Sequence, residues 1–162
     1  MRSGTGTDQT SDHRRSKIIL AVDDTAENLR VLESVIRSEG YSFIGVAGGT
    51  ECLTLAWRLR PSLVLLDVQM PGMTGFEVCR RLRASREYTG VPIVFLTAAK
   101  TVEDVKAGIT AGGNDFIIKP FDTQMLIGRI HHWTSSHGRV DARATGMALS
   151  RKRGRPTPPP IA

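Results

Sequence analysis

Acidic, hydroxyl and amino side chains follow the ends of four short apolar runs in this 162-residue sequence. Asp23 and Asp24 come after the first run, Asp67 after four branched aliphatic residues, and Thr97 and Lys119 after later runs. Three carboxylates brought together repel one another unless a cation joins them, and hard oxygen ligands with room for water suit Mg²⁺. The ammonium of Lys119 can pair with an oxyanion, while the Thr97 hydroxyl can donate to a second oxygen. Around an open position, this set is typical of phosphoryl transfer onto a carboxylate.

The apolar runs are predicted to be the strands of one parallel sheet. The run before Asp67 is apolar at every position, which is typical of a strand buried on both faces. The predicted strands cover residues 18–22, 41–46, 63–66, 92–96 and 116–118. Parallel strands end at the same edge of a sheet, where α/β proteins bind their ligands. We therefore expect the polar residues that follow these strands to meet in one cleft.

Segments with helical spacing of apolar residues alternate strictly with the predicted strands. The predicted helices cover about residues 25–38, 50–59, 76–86, 101–111 and 122–133. Crossovers of this length predict an α/β fold in which a five-stranded parallel sheet carries helices on both faces. In the third helix, the pattern places Arg80, Arg81, Arg83 and Arg86 outward, and we interpret them as a solvated face.

Length and charge divide the chain into three parts. The length and a hydrophobic content of 40% suit one domain, which we place at residues 17–133. This domain holds 13 basic and 13 acidic residues, so the net charge of +6 belongs to the flanks. We expect residues 1–16 to be disordered, because they contain almost no apolar residue, and residues 134–162 to form a disordered, basic, Pro-rich tail.

The sequence predicts a cytoplasmic protein. No apolar run approaches the ~20 residues that cross a bilayer, and the first residues lack the apolar core of a signal peptide. Cys52 and Cys79 fit no metal-ligand spacing and fall within predicted helices. We expect both to be buried, reduced thiols without a functional role.

Four short motifs resemble the receiver domain of two-component response regulators. They are VDD at 22–24, LLDVQMPGMTG at 65–75, FLTA at 95–98 and AGGNDFIIKPF at 111–121. The resemblance covers residues 17–133 and implies the flavodoxin-like receiver fold of five strand–helix pairs. It implies that Asp67 accepts a phosphoryl group from a histidine kinase or a phosphotransfer protein. It also implies that Asp24 binds Mg²⁺ directly, Asp23 through water, and Gln69 through its backbone carbonyl.

The same resemblance implies roles for the later strand ends. Thr97, the backbone amide of Ala98, and Lys119 would hold the phosphoryl oxygens. The Lys119–Pro120 peptide would be cis, a conformation that is accessible mainly before proline. Phe116 matches the aromatic switch position, which turns inward when Thr97 is drawn toward the phosphoryl group. The face built from the fourth helix, fifth strand and fifth helix would carry the output.

The resemblance implies a signalling protein that takes part in its own phosphorylation, not an enzyme. The leading hypothesis is a stand-alone receiver that signals to an unknown protein by contact or relays the phosphoryl group onward. A phosphorylation-dependent homodimer is an open alternative. A second hypothesis gives the tail a DNA contact, because Arg153, Gly154, Arg155 and Pro156 resemble an AT-hook for narrow A·T-rich minor grooves. A third, a phosphatase of the haloacid dehalogenase type, needs an acid two residues after Asp67, where this chain has Gln69.

Overall fold

The computed structural model of the protein describes residues 17–98 and 101–135. Its five strands are all parallel and form one sheet in the order β2-β1-β3-β4-β5. The strands are β1 Ile18–Val22, β2 Ser42–Val46, β3 Leu63–Asp67, β4 Ile93–Thr97 and β5 Asp115–Ile118. The helices are α1 Ala26–Ser38, α2 Gly49–Leu59, α3 Gly75–Arg83, α4 Val102–Ala111 and α5 Thr123–Thr134, with a short 3₁₀ turn at Arg86–Tyr88. The predicted α/β fold with five parallel strands is confirmed.

The central strand β3 is buried on both faces, as its uninterrupted apolar sequence predicts. Leu63 and Leu65 pack with α1 and α5 on one side of the sheet. Val64 and Leu66 pack with α2, α3 and α4 on the other side. Successive residues of a strand point to opposite faces, and helices cover both faces of this sheet. All four side chains are therefore fully buried. This double core fixes the position of Asp67, the last residue of β3.

Side-chain caps set several helix boundaries. Asp122 accepts a hydrogen bond from the Met125 amide at the start of α5, in agreement with its predicted capping role. The third helix is shorter than predicted, since α3 ends at Arg83 and not near Arg86. Ser85 then caps the 3₁₀ turn by accepting from the Glu87 amide. A serine inside a helical pattern can therefore mark the end of one helix and the cap of a second helical turn.

The interpretation of the α3 arginines as one solvated face is wrong for Arg83. Its guanidinium donates to the backbone carbonyls of Gly112 (2.9 Å), Val91 (2.7 Å) and Tyr88. It also donates to Asn114 Oδ1 at 2.7 Å. Burial lowers the pKa of Arg83, and the planar fork of donors suits several carbonyls at once. Arg83 thus connects the end of α3 with the loop that precedes β4 and with the loop between α4 and β5.

We expect Arg83→Ala to lower the free energy of unfolding by about 2–3 kcal/mol, because it leaves partly buried carbonyls without their donor. Urea denaturation followed by circular dichroism measures the effect. Arg80→Ala, at an exposed position of the same helix, is the matched control and should change stability by less than about 0.5 kcal/mol. Equal losses in both variants would contradict this role for Arg83.

The two cysteines are buried and unpaired, as predicted. Burial raises the pKa of Cys52 to about 12 and that of Cys79 to about 11, so both are held as thiols. Across residues 17–98 and 101–135, no helix is both long enough and apolar enough to span a bilayer.

Candidate functional site

Asp23 lies directly after β1 and is completely buried. Its backbone amide donates to the Val46 carbonyl at 3.1 Å, which extends the pairing with β2 by one residue. Its Oδ1 accepts from the Thr25 amide at 2.9 Å, and its Oδ2 lies 2.7 Å from Lys119 Nζ. The Asn28 side-chain amide donates to both carboxylate oxygens, at 3.2 and 3.1 Å. Asp24, in contrast, is exposed.

Asp67 ends the central strand and is nearly buried, with 8% of its side chain exposed. Its Oδ1 lies 3.3 Å from Lys119 Nζ and 3.4 Å from the backbone nitrogen of Gln69. The chain turns back closely after Asp67, because a Cβ on Gly75 would lie 2.1 Å from the Asp67 carbonyl oxygen. Glycine at position 75 therefore allows α3 to begin against the backbone at the end of β3.

Lys119 is the cation between two buried carboxylates. It follows β5, and its ammonium contacts both Asp23 and Asp67 across the sheet edge. Burial raises the pKa of the Asp67 carboxyl, Lys119 lowers it, and the charge of Asp23 raises it. Burial is the largest of these effects, so the net shift is upward in spite of the ion pair.

This upward shift predicts that Asp67 makes the fold less stable at neutral pH. A carboxyl whose pKa is higher in the folded than in the unfolded chain contributes stability below its unfolded pKa, and loses it as the pH rises through the folded pKa. We expect Asp67→Asn, in EDTA at neutral pH, to raise the free energy of unfolding by on the order of 1 kcal/mol. The gain should shrink as the pH falls toward the unfolded pKa of Asp, as measured by urea denaturation. A gain that grows on acidification would contradict the shift.

The three acids form a cluster that fits a hard divalent cation. One carboxylate oxygen from each of Asp23, Asp24 and Asp67 lies within 4.8 Å of the others. Carboxylates are the ligands that Mg²⁺ prefers, and the exposed Asp24 leaves one side open for water. Gln69 is exposed two residues after Asp67, next to this cluster in the chain. The residue types thus suit Mg²⁺.

Thr97 and Ala98 lie at the same edge. Thr97 ends β4 with 3% of its surface exposed, and its carbonyl accepts from the Lys119 amide at 2.8 Å. Ala98, the next residue, is exposed. The Lys119–Pro120 peptide is cis, as the resemblance implies. A pocket of about 410 Å³ adjoins the site and is lined by Asn28, Val31, Lys119, Pro120 and Phe121.

Phe116 lies on β5 and packs beneath α4. Its ring centroid is 5.3 Å from that of Phe95. A Cβ on Gly108 would lie 2.1 Å from Phe116 Cζ, so the ring fills the space that any larger residue of α4 would need. Phe116 is half-buried in this arrangement. The predicted switch residue therefore packs between β4 and α4.

The structure brings the predicted residues of the strand ends to one edge of the sheet, in agreement with the expectation from parallel strands. Asn28 was not predicted, although it contacts both oxygens of Asp23. One signal was present: Asn28 is a polar residue in the first turn of the helix that leaves this edge. Arg153, Gly154, Arg155 and Pro156 lie outside the described residues, so their DNA contact stays a prediction.

Residues 19–131 match the protein family described as the response regulator receiver domain. The chain belongs to this family. The receiver prediction is confirmed, and it decides against the phosphatase alternative. Receiver domains bind Mg²⁺ at an acidic pocket of the kind formed here, and they interact with histidine kinases or phosphotransfer proteins.

Two curated relatives place this receiver among response regulators. DNA-binding response regulator MtrA of Mycobacterium tuberculosis is 46% identical over 112 residues, which are 69% of this chain and 48% of MtrA. Response regulator PleD of Caulobacter vibrioides is 37% identical over 136 residues, which are 84% of this chain and 30% of PleD. The chain thus spans about half the length of MtrA and 30% of the length of PleD.

Solved receivers share the fold. Chemotaxis protein CheY4 of Vibrio cholerae is 30% identical, with a TM-score of 0.69 over 71% of this chain and 96% of CheY4. The receiver domain of sensor histidine kinase PA1611 of Pseudomonas aeruginosa is 34% identical, with a TM-score of 0.69 over 74% of this chain and 98% of that domain. That receiver was solved with a magnesium ion coordinated in its active site cleft.

Proposed function

We propose that this receiver accepts a phosphoryl group on Asp67 from a histidine kinase or a phosphotransfer protein and signals through protein contact. The observation that carries the proposal is the nearly buried Asp67 carboxylate at the carboxyl end of the central strand, 3.3 Å from Lys119 Nζ and beside two further acids. The proposed reaction takes place in the cytoplasm.

The chemistry follows from the charges around Asp67. A carboxylate oxygen of Asp67 attacks phosphorus, the P–N bond to the donor histidine breaks, and the histidine ring nitrogen keeps the electron pair. Lys119 then pairs with a phosphoryl oxygen, while the Thr97 hydroxyl and the Ala98 amide donate to others. Most of the rate enhancement comes from positioning and charge stabilisation.

Asp24 and Asp67 would bind Mg²⁺ directly, together with the Gln69 carbonyl, while Asp23 acts through water. The supporting observations are the mutual distances of the three carboxylates and the exposure of Asp24. When bound, Mg²⁺ offsets the negative charge that the acids and the incoming phosphoryl group share.

The output is proposed to pass through the face of α4, β5 and α5. Phosphorylation draws Thr97 toward the phosphoryl group, and Phe116 repacks between β4 and α4 in response. Apolar exposure supports this face: among the described residues, five of the seven exposed large apolar side chains lie on these three elements. They are Val102, Val105, Ile109, Ile118 and Met125. Exposed apolar side chains grouped in this way are typical of a protein contact surface.

Phosphoryl incorporation into the full chain tests the proposal. We expect purified protein to take up a single phosphoryl group from acetyl phosphate in Mg²⁺, and from one or more kinases in a histidine kinase panel. EDTA should prevent both reactions. Intact-protein mass spectrometry measures the incorporation, and peptide mapping assigns it to Asp67. Absence of incorporation from every donor in the presence of Mg²⁺ would overturn the proposal.

A further inference from the structure

Three donors of the protein contact the Asp23 carboxylate, and each of its two oxygens accepts from two of them. Two carboxylate oxygens offer about four lone-pair positions. Oδ1 accepts from the Thr25 amide and from Asn28 Nδ2, while Oδ2 accepts from Lys119 Nζ and again from Asn28 Nδ2. The four contacts measure 2.9, 3.2, 2.7 and 3.1 Å. Protein donors therefore occupy most of the acceptor capacity of Asp23.

Of the three donors to Asp23, only the Asn28 side chain can be removed by substitution without also removing the contact between Lys119 and Asp67. The Thr25 amide is backbone, and Lys119 also faces Asp67. The Asn28 side chain makes two of the four contacts, and its nitrogen must face Asp23, because an ionised carboxylate only accepts hydrogen bonds. Asn28 is half-buried and lines the same pocket as Val31 and Lys119.

We propose that Asn28 is a positioning residue whose amide occupies both oxygens of Asp23. In this role it limits the hold of Asp23 on a cation and on Lys119, and it leaves direct cation binding to Asp24 and Asp67. This inference rests on the proposed Mg²⁺ site. It explains why Asp24 and Asp67 would bind the cation directly while Asp23 would not.

Two consequences follow from the loss of the Asn28 amide. The Asp23 carboxylate would have one donor fewer, so its attraction for a nearby divalent cation would increase. It would also hold Lys119 more strongly, because one competing donor to Oδ2 is gone. Mg²⁺ binding should therefore tighten while phosphoryl transfer slows.

Titration of the full chain with Mg²⁺ alone, followed by calorimetry, tests this inference. Asn28→Leu has nearly the same shape, cannot donate and excludes water. We expect it to lower the Mg²⁺ dissociation constant about tenfold, the scale of one charge-assisted hydrogen bond. Its phosphorylation rate from acetyl phosphate at saturating Mg²⁺ should fall. If Asn28→Leu does not fold, Asn28→Ala should tighten binding less, because water can replace the amide.

Two variants serve as controls. Asn28→Gln keeps the donor, has room in the adjacent pocket, and should retain an affinity close to that of the wild type. Val31→Ala lines the same pocket and lies on the same helix, and it should leave Mg²⁺ affinity unchanged. A merely structural role for Asn28 would weaken binding.

The outcomes separate this inference from the proposed function. If the wild type binds Mg²⁺ and Asn28→Leu or Asn28→Ala binds it equally well or less tightly, the positioning role is wrong and the Mg²⁺ site stands. If the wild type binds no Mg²⁺, both the site and the role of Asn28 are wrong.

Discussion

Asp67→Asn is expected to abolish phosphoryl incorporation completely, from acetyl phosphate and from every histidine kinase that labels the wild type. Asparagine has nearly the same shape as aspartate, but its amide oxygen lacks the negative charge that makes the carboxylate a nucleophile. The loss should not come from unfolding, because Asp67 is nearly buried beside Asp23 and its ionisation opposes folding. Mass spectrometry of intact wild-type and variant proteins after equal incubation measures the difference.

Asp115→Asn is the matched control for this experiment. Asp115 is also a partly buried carboxylate in the sheet, but it opens β5 and pairs with Arg129 at 2.7 Å, at the opposite end of the strand from Lys119. We expect Asp115→Asn to be phosphorylated like the wild type. Labelling that persists in Asp67→Asn would remove the acceptor assignment, and loss of labelling in Asp115→Asn would point to a general defect in the fold.

The architecture was predictable because burial leaves a simple pattern in the sequence. A strand covered on both faces must be apolar at every position, and residues 63–66 meet that condition. Once the strands are parallel, the place of Asp67 and Lys119 follows from topology alone, although the two residues are far apart in the chain. The convergence of the site at one edge is therefore a property of the fold.

The partners of individual polar side chains were not predictable in this way. Arg83 has the same type and helical setting as Arg80, yet only the packing of α3 against the β4 and β5 loops gives it carbonyls to bind. Asn28 likewise depends on the angle at which α1 leaves the sheet. Periodicity predicts which face of a helix is buried, but it does not predict which polar group meets another at its border.

Lys119→Met is expected to cause the largest loss of stability among the site variants. It removes the cation between Asp23, which is fully buried, and Asp67, which is nearly so. Removing one partner of a buried ion pair typically costs about 3–5 kcal/mol, because the remaining charge has no compensation. We expect a loss of this size in EDTA at neutral pH, measured by urea denaturation, together with the loss of phosphoryl incorporation.

The pH dependence and a second substitution identify the cause of that loss. Without Lys119, which lowers the pKa of Asp67, that pKa should rise further in the folded state, so the deficit should shrink as the pH falls and Asp67 takes up a proton. Lys119→Arg keeps the positive charge and should lose less stability than Lys119→Met. Adding Asp67→Asn to Lys119→Met removes one of the opposed charges and should recover part of the deficit, a non-additive result typical of groups in direct contact. A deficit that is unchanged by acid and by the second substitution would mean that Lys119 stabilises the fold through packing and not through charge.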